Sequence, residues 1–84
     1  MKYRTRAEIV SQMLDAAGED AQGVTKTKII YSGGLSYTQS KEYLRLILDR
    51  GLLEYHGTRN RYRLTQKGVE YLEMFKRTRA LTEI

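Results

Sequence analysis

Residues 35–51 constrain the fold of this chain more than any other stretch, because they combine a helix start, an amphipathic body and a helix end. Ser36 and Gln39 fit the S-x-x-Q form of a capping box, and Gly51 stands where helices often end in a left-handed residue. Four side chains share one face at helical spacing: Ser40, Leu44, Ile47 and Leu48. The pattern predicts a helix over 36–50 with a core-facing side and an opposite side available for contacts.

Two capped helices and a glycine-containing turn precede residues 35–51. Thr5 and Glu8 form a T-x-x-E capping box, which predicts a first helix over 5–18. Thr25 caps a short helix over 25–32, and a Ser-Gly-Gly turn follows it. A short helix, a glycine-containing turn and a longer capped helix form a helix-turn-helix pattern.

A hairpin and a last helix follow. The pattern of residues 52–64 predicts two short strands joined by a Gly/Asn loop, and Thr65 caps a helix over 65–82. A hairpin directly after a helix-turn-helix has the position of a wing. We therefore predict one domain over 1–84 that is mainly α with a small β-hairpin (α+β), in the winged helix-turn-helix arrangement.

Positive charge is concentrated in the middle of the chain. The formal net charge is +5 and the pI is about 9.6. Residues 26–63 carry eight basic and three acidic side chains, so the whole excess lies there. Such a concentration favours a polyanion as the partner. A solvated face that keeps a small protein soluble is the alternative interpretation.

The composition argues against several other classes of protein. The chain has no cysteine, so disulfides and thiolate metal sites are excluded. No apolar run approaches about 18 residues and no signal-peptide pattern is present, so we expect a cytoplasmic protein that does not enter a membrane. His56 is the only histidine, and no glycine-rich phosphate loop accompanies it. We therefore expect neither catalysis nor a cofactor nor a bound metal.

The last helix carries two apolar stripes. One consists of Val69, Leu72 and Phe75, and the other of Tyr71, Met74, Thr78 and Leu81. Two stripes give this helix more apolar surface than one small core needs, so we expect a homodimer formed through this helix. The interface is expected at Tyr71, Met74, Phe75, Thr78 and Leu81. Packing of both stripes within one domain is the alternative.

Five segments together resemble a known family: Lys26-Thr27-Lys28-Ile29-Ile30-Tyr31, Leu35-Ser36-Tyr37, Lys41-x-Tyr43-Leu44, Gly51-Leu52-Leu53-Glu54 and Tyr62-x-Leu64-Thr65-x-Lys67-Gly68. They look like the small archaeal winged-helix DNA-binding proteins, and the resemblance covers roughly residues 5 to 80. It implies a transcriptional regulator or chromatin-type protein, often a homodimer joined by the C-terminal helix. The last helix here is shorter than the long antiparallel coiled coil that some relatives carry.

The helix-turn-helix pattern also assigns contacts to double-stranded DNA. The second helix of such a motif enters the major groove, and the contacts from it are expected at Ser36, Tyr37, Thr38, Gln39, Lys41 and Arg45. Lys26 and Lys28 lie on the helix that crosses the DNA backbone. Arg59 and Arg61 lie in the wing over 57–61, which we expect on the backbone or in the minor groove.

Each of these assignments has an alternative. Ser36 and Gln39 can serve only as caps, and the two lysines can be solvated charge. Tyr37 projects toward the core side of its helix, where it either packs or binds a phosphate. For the whole chain, a winged-helix module that binds an acidic protein without DNA is the second hypothesis. RNA binding is a third, but the chain lacks the stacked surface aromatics of single-strand readers unless exposed tyrosines replace them.

Overall fold

The computed structural model describes residues 4–82, and within them the chain forms four helices and one two-stranded antiparallel hairpin. In chain order these elements are α1 Arg6–Ala17, α2 Lys26–Ser32, α3 Tyr37–Asp49, β1 Leu53–His56, β2 Arg61–Leu64 and α4 Gln66–Thr82. The predicted fold class, mainly α with a small β-hairpin, is confirmed. The first three and the last two residues of the domain predicted over 1–84 lie outside the described residues.

Hydroxyl side chains begin each of the first three helices. Thr5, Thr25 and Ser36 each accept a hydrogen bond from the backbone N–H three residues on, at 3.1, 3.3 and 3.2 Å. Thr5 completes a capping box, because its own N–H donates to Glu8 Oε1 at 3.1 Å. The box predicted at Ser36 is only half formed, since Gln39 Oε1 accepts from the Ser36 hydroxyl at 3.3 Å and not from the Ser36 backbone. Each cap satisfies an N–H that its helix leaves unpaired.

The end of α3 sets the direction in which the chain leaves for the hairpin. Gly51 adopts a left-handed backbone conformation with φ of 72°. Its N–H donates to the Leu48 carbonyl at 3.0 Å, and the Leu52 N–H donates to the Ile47 carbonyl at 3.1 Å. These two bonds form the Schellman pattern of helix ends. Because β1 begins two residues after Gly51, a turn of defined geometry joins α3 to the hairpin.

The core lies where α1 packs against the other helices and the base of the hairpin. Its most completely buried apolar side chains are Met13, Leu14, Ile29 and Ile47. Ser40 is buried among them, and its hydroxyl donates to the Ile30 carbonyl at 3.2 Å. This carbonyl lies in the last turn of α2, where helical partners run out. The bond therefore links α3 to α2 and helps to fix the angle between them.

Strand β2 has a backbone partner on each side. Its register with β1 places Leu64 opposite Leu53 and Tyr62 opposite Tyr55. On its other edge, Tyr62 pairs with Val24 through N–H···O hydrogen bonds of 2.9 and 2.8 Å. Val24 lies in the α1–α2 loop, one residue before the cap of α2. The bridge therefore ties the start of α2 to the hairpin through the backbone.

Helix α4 begins in close contact with the segment that follows α3. A β-carbon on Gly68 would lie 2.2 Å from the Leu52 carbonyl oxygen and 2.8 Å from Leu64 Cδ1, so only glycine fits there. Thr65 caps α4 by accepting from the Gly68 N–H at 3.0 Å, and its hydroxyl donates to the Gly51 carbonyl at 2.6 Å. Among the described residues, neither α4 nor any other helix is long and apolar enough to cross a membrane.

Candidate nucleic-acid interface

The side of α3 opposite the core carries a row of four polar side chains, which are Thr38, Lys41, Glu42 and Arg45. All four are exposed and line one shallow surface depression. They lie three and four residues apart, so they are neighbours along one face of the helix. Gln39 is exposed beside this row in the first turn. Side chains in the first turns of such a helix have the reach needed to contact base edges in a DNA major groove.

A second depression lies where α2, α3 and the hairpin meet, and we call it the basic groove. It has a volume of about 220 Å³ and is lined by Lys26, Lys41, Arg45 and Tyr62 together with two leucines. Among the described residues, no carboxylate lines it and none of its three cations forms an ion pair. Uncompensated positive charge in a groove attracts polyanions.

Two exposed tyrosines adjoin the basic groove. Tyr37 is 61% exposed, although its wheel position pointed toward the core, and the Lys41 ammonium lies 5.2 Å from its ring centroid. Tyr31 is 79% exposed and lines a neighbouring cavity with Tyr37 and Lys26. Tyr31 is absent from the predicted contacts. Its place directly after the two isoleucines of α2, where core positions end, is the signal that could have identified it.

Lys28 lies on a different side of α2 from Lys26. Its ammonium is 3.5 Å from the carboxylate of Glu19 in the α1–α2 loop. Positions 26 and 28 differ by about 200° around a helix, so the two predicted phosphate ligands on α2 face different neighbours. The structure brings Lys26 to the basic groove and Lys28 to Glu19.

The strand arginines of the wing lie on its outer face. Arg61 and Arg63 alternate with Tyr62 along β2, and Tyr62 is the side chain that reaches the basic groove. The strand register places the two arginines opposite His56 and Glu54. Arg61, a predicted DNA contact, therefore does not share the groove with Lys26 and the cations of α3.

Arg59 lies in the hairpin loop, which has a defined conformation. Asn60 has a left-handed φ of 54°, and its Oδ1 accepts a hydrogen bond from the Tyr55 hydroxyl at 2.6 Å. Arg59 Nη1 donates to Gln22 Oε1 at 3.3 Å, so this arginine leans over the α1–α2 loop. A guanidinium has five N–H donors, and those not used for Gln22 can bind a phosphate.

A further cation lies at the turn between α2 and α3. The Arg4 guanidinium is 3.2 Å from the position that a β-carbon on Gly34 would take, and it donates to the Gln12 side chain. Ser36, the cap of α3, follows two residues after Gly34. Arg4 thus adds positive charge near a helix N-terminus, which itself favours anions. Sequence patterns did not identify Arg4, because only the fold brings it to this turn.

Burial changes the proton affinity of one residue in the basic groove. Desolvation raises the pKa of the Tyr62 phenol above its ordinary value of 10.0, and Tyr55, whose ring centroid is 4.9 Å away, raises it further. The Tyr62 phenol is neutral at pH 7 as an ordinary tyrosine is, and the raised pKa extends this neutral form to higher pH, so its hydroxyl can donate to a phosphate without adding negative charge to the groove. Within residues 4–82, no three histidine or acidic side chains are grouped as metal ligands.

The five predicted dimer residues on α4 divide into two groups. Tyr71 and Phe75 are half-buried, and Tyr71 packs against the core. Met74 and Leu81 are 69% and 68% exposed, and Thr78 is exposed between them. The described chain therefore leaves three of these side chains uncovered and packs the other two partly on itself.

Comparison with known proteins agrees with this architecture. A family model described as "Winged helix-turn-helix" matches residues 3–83, which is nearly the whole chain. No curated protein matches the chain. Domains of this family typically bind DNA and are not enzymes. With α2 and α3 as the helix-turn-helix, β1 and β2 as the wing, and this match along its length, the chain belongs to the winged helix-turn-helix family.

Proposed function

We propose that this protein is a single winged-helix domain that binds double-stranded DNA as a transcriptional regulator or chromatin-type protein. Helix α3 would enter the major groove, and the wing over 57–61 would contact the backbone or the minor groove. The basic groove carries the proposal, because Lys26, Lys41 and Arg45 converge beside α3 and no carboxylate of the described chain lines it. Membership of the winged helix-turn-helix family supports the same conclusion.

Base reading is assigned to the exposed side of α3, which carries the row of Thr38, Lys41, Glu42 and Arg45 with Gln39 beside it. An amide side chain pairs bidentately with adenine and a guanidinium with guanine, so Gln39 and Arg45 are the proposed readers. Glu42 lies in the same row, and a carboxylate accepts from a cytosine amine but repels phosphates. Donors and an acceptor on one face favour sequence reading over purely electrostatic binding.

Phosphate contacts are assigned to the cations around this row. Lys26 faces the basic groove, and Arg59 keeps spare N–H donors at the wing loop. Lys28 would first have to leave Glu19, but an exposed ion pair contributes only about 0–1 kcal/mol and opens easily. Arg61 would contact DNA only from the outer face of the wing. We therefore expect Lys26 to contribute more to affinity than Lys28.

The test is a titration of a labelled random-sequence duplex, followed by fluorescence anisotropy at several salt concentrations, with a single strand for comparison. The logarithm of the duplex affinity should fall linearly with the logarithm of salt concentration, with a slope of about −0.9 per phosphate neutralised. Lys26→Gln should make the slope less steep by about 0.9, and Lys28→Gln should change it less. The matched control is Lys76→Gln, which removes a cation of α4 that lies 3.3 Å from Asp15.

Two outcomes would contradict the proposal. Absence of duplex binding at low salt would overturn it and favour an acidic protein as the partner. Equal effects of Lys26→Gln and Lys76→Gln would mean that net charge alone, and not the basic groove, produces the affinity.

Two further variants distinguish contacts to the DNA backbone from contacts to the bases. Arg59→Ala should weaken binding to all sequences alike, whereas Gln39→Ala should change the preference among sequences.

The proposal includes a homodimer formed through α4. Residues 76–81 are all exposed, so the C-terminal half of α4 extends beyond the core. Met74, Thr78 and Leu81 recur at helical spacing on this half, with Tyr71 and Phe75 at their margin. A second copy of α4 would cover these side chains. Two domains would then contact half-sites whose spacing the dimer sets.

Sedimentation equilibrium tests the dimer. Met74→Glu places a charge in the proposed interface and should shift the population toward monomer. The matched control is Ala80→Glu, which adds the same charge at an exposed position about 120° away on the same helix. A wild-type protein that remains monomeric at every concentration would contradict this part of the proposal, while DNA binding would be judged separately.

A further inference from the structure

A further cavity lies between the start of α1, the end of α3 and the start of α4. Its volume is about 300 Å³. Three cations line it, and each comes from a different part of the fold: Arg6 from the first turn of α1, Arg50 from the cap of α3 and Lys67 from the first turn of α4. We call it the three-helix cavity.

The positive charge of this cavity is uncompensated. Arg6, Arg50 and Lys67 are all exposed, and none of them forms an ion pair or a side-chain hydrogen bond in the part of the chain that the structure describes. No carboxylate of that part lines the cavity. Like charges around one space repel each other, and a bound anion would relieve that repulsion. A carboxylate or phosphate would also receive charge-assisted hydrogen bonds from the two guanidinium groups.

The rest of the lining is apolar or aromatic. Ala7 and Val10 come from α1, Leu46 from α3 and Tyr71 from α4. A purely inorganic anion would leave this surface in contact with water. A ligand with an apolar portion would cover it and gain the free energy of removing apolar surface from water. The combination therefore selects for a molecule that has both an anionic head and an apolar body.

The size of the cavity decides the class of occupant. A volume of about 300 Å³ is at the lower end of the range of small-molecule sites. It is a partly open cavity bordered by three helices, with room for a small molecule. We propose that the three-helix cavity binds a small amphipathic anion, an organic carboxylate or phosphate ester with a short apolar tail or ring. Its head would contact Arg6, Arg50 and Lys67. This inference does not depend on DNA binding.

Octanoate is a suitable probe, and 1-octanol, octylamine and inorganic phosphate are its controls. Binding is measured by NMR chemical-shift titration of the amide resonances and by the shift in thermal midpoint. Octanoate should produce saturable shifts at the cavity residues of all three helices and raise the midpoint, because it bridges them. The neutral, cationic and inorganic probes should do neither at the same concentration.

Two variants locate the site. Lys67→Gln should weaken octanoate binding by about tenfold through loss of one charged contact, whereas Lys76→Gln, elsewhere on α4, should leave it unchanged. Ala7→Phe should fill the cavity and abolish binding. Since Lys67 is exposed, its replacement leaves the fold intact even if Ala7→Phe does not.

Four results would overturn the inference. They are no saturable octanoate binding, equal binding of octanoate and 1-octanol, equal binding of octanoate and inorganic phosphate, and binding to anionic lipid vesicles without binding of monomeric octanoate. The second would indicate hydrophobic adsorption alone and the third an unselective anion site. The fourth would indicate that the cations of the cavity bind an anionic membrane surface and not a small molecule.

Discussion

Replacing Gly68 by alanine sets two physical effects against each other. Alanine is favoured over glycine inside a helix by about 1 kcal/mol, so propensity alone predicts a more stable protein. The new methyl group would lie 2.2 Å from the Leu52 carbonyl oxygen and 2.8 Å from Leu64 Cδ1, distances that real β-carbons do not adopt. Relieving the contact requires the start of α4 and the 51–53 segment to separate by roughly 1 Å.

The cost of this separation exceeds the gain in propensity. Forcing a group into a packed site costs about 1–3 kcal/mol, and the upper part of the range applies because the obstacle is backbone. The movement would also stretch the hydrogen bond from the Thr65 N–H to the Leu52 carbonyl, now 3.2 Å, at a cost of about 1 kcal/mol. With the propensity gain subtracted, Gly68→Ala should lower the free energy of unfolding by about 2–3 kcal/mol. The thermal midpoint should fall by about 8–24 °C.

Urea denaturation followed by circular dichroism measures the effect. The control is Gly18→Ala at the end of α1, where the nearest atom to an added β-carbon is 3.4 Å away and the contact is ordinary. That variant should stay within about 0.5 kcal/mol of the wild type. If Gly68→Ala were as stable as the wild type or more stable, the close approach of α4 to Leu52 would not constrain the fold and the reasoning would be wrong.

Two further predictions concern polar side chains that are buried or half-buried. Ser40→Ala should lower the free energy of unfolding by about 1–2 kcal/mol in the same urea assay, because it leaves a carbonyl of α2 without its partner. The control Ser11→Ala removes a 2.9 Å hydrogen bond within α1 and should lower the free energy of unfolding by less. Equal losses would mean that the hydrogen bond between α2 and α3 contributes no more to stability than one within a helix. The pKa values of Tyr62 and Tyr71 are raised by desolvation, so the fold favours their protonated forms. This stabilisation is complete below pH 10.0, the unfolded value, and is lost as pH rises above it through the folded pKa values. Tyr62→Phe and Tyr71→Phe should reduce the loss of stability as pH rises above 10.0, and unchanged alkaline behaviour in both variants would contradict the assignment.

Features that depend on neighbours a few residues away could be predicted from the sequence. The Thr5 cap needs only Glu8, and the left-handed turn at Gly51 needs only the end of its own helix. The fold class follows from the order of such local signals, and the structure and the family match confirm it. The complete capping box predicted at Ser36 lacks one of its two hydrogen bonds. The flexible Gln39 side chain accepts from the Ser36 hydroxyl instead of from the Ser36 backbone N–H.

Features that depend on tertiary contacts could not be predicted in the same way. Nothing in the α2 sequence indicates that Lys28 pairs with Glu19 while Lys26 faces α3. The alternation of β2 shows that Arg61 and Tyr62 point to opposite faces, but only the packed structure shows which face meets α3. The bridge at Val24 involves one residue pair, which is too short to leave a strand pattern in the sequence.

The backbone bridge between Val24 and Tyr62 has a consequence for the thermodynamics of association. It holds the start of α2 and the wing in place before any ligand arrives. Ordering a flexible backbone costs roughly 1–2 kcal/mol per residue. A wing that became ordered only on contact would therefore reduce the binding free energy by that amount for each of its residues. Here the loss of conformational entropy falls mainly on long side chains such as Lys26. The heat-capacity change of binding should therefore correspond to the contact surface alone, without the additional contribution that coupled folding produces.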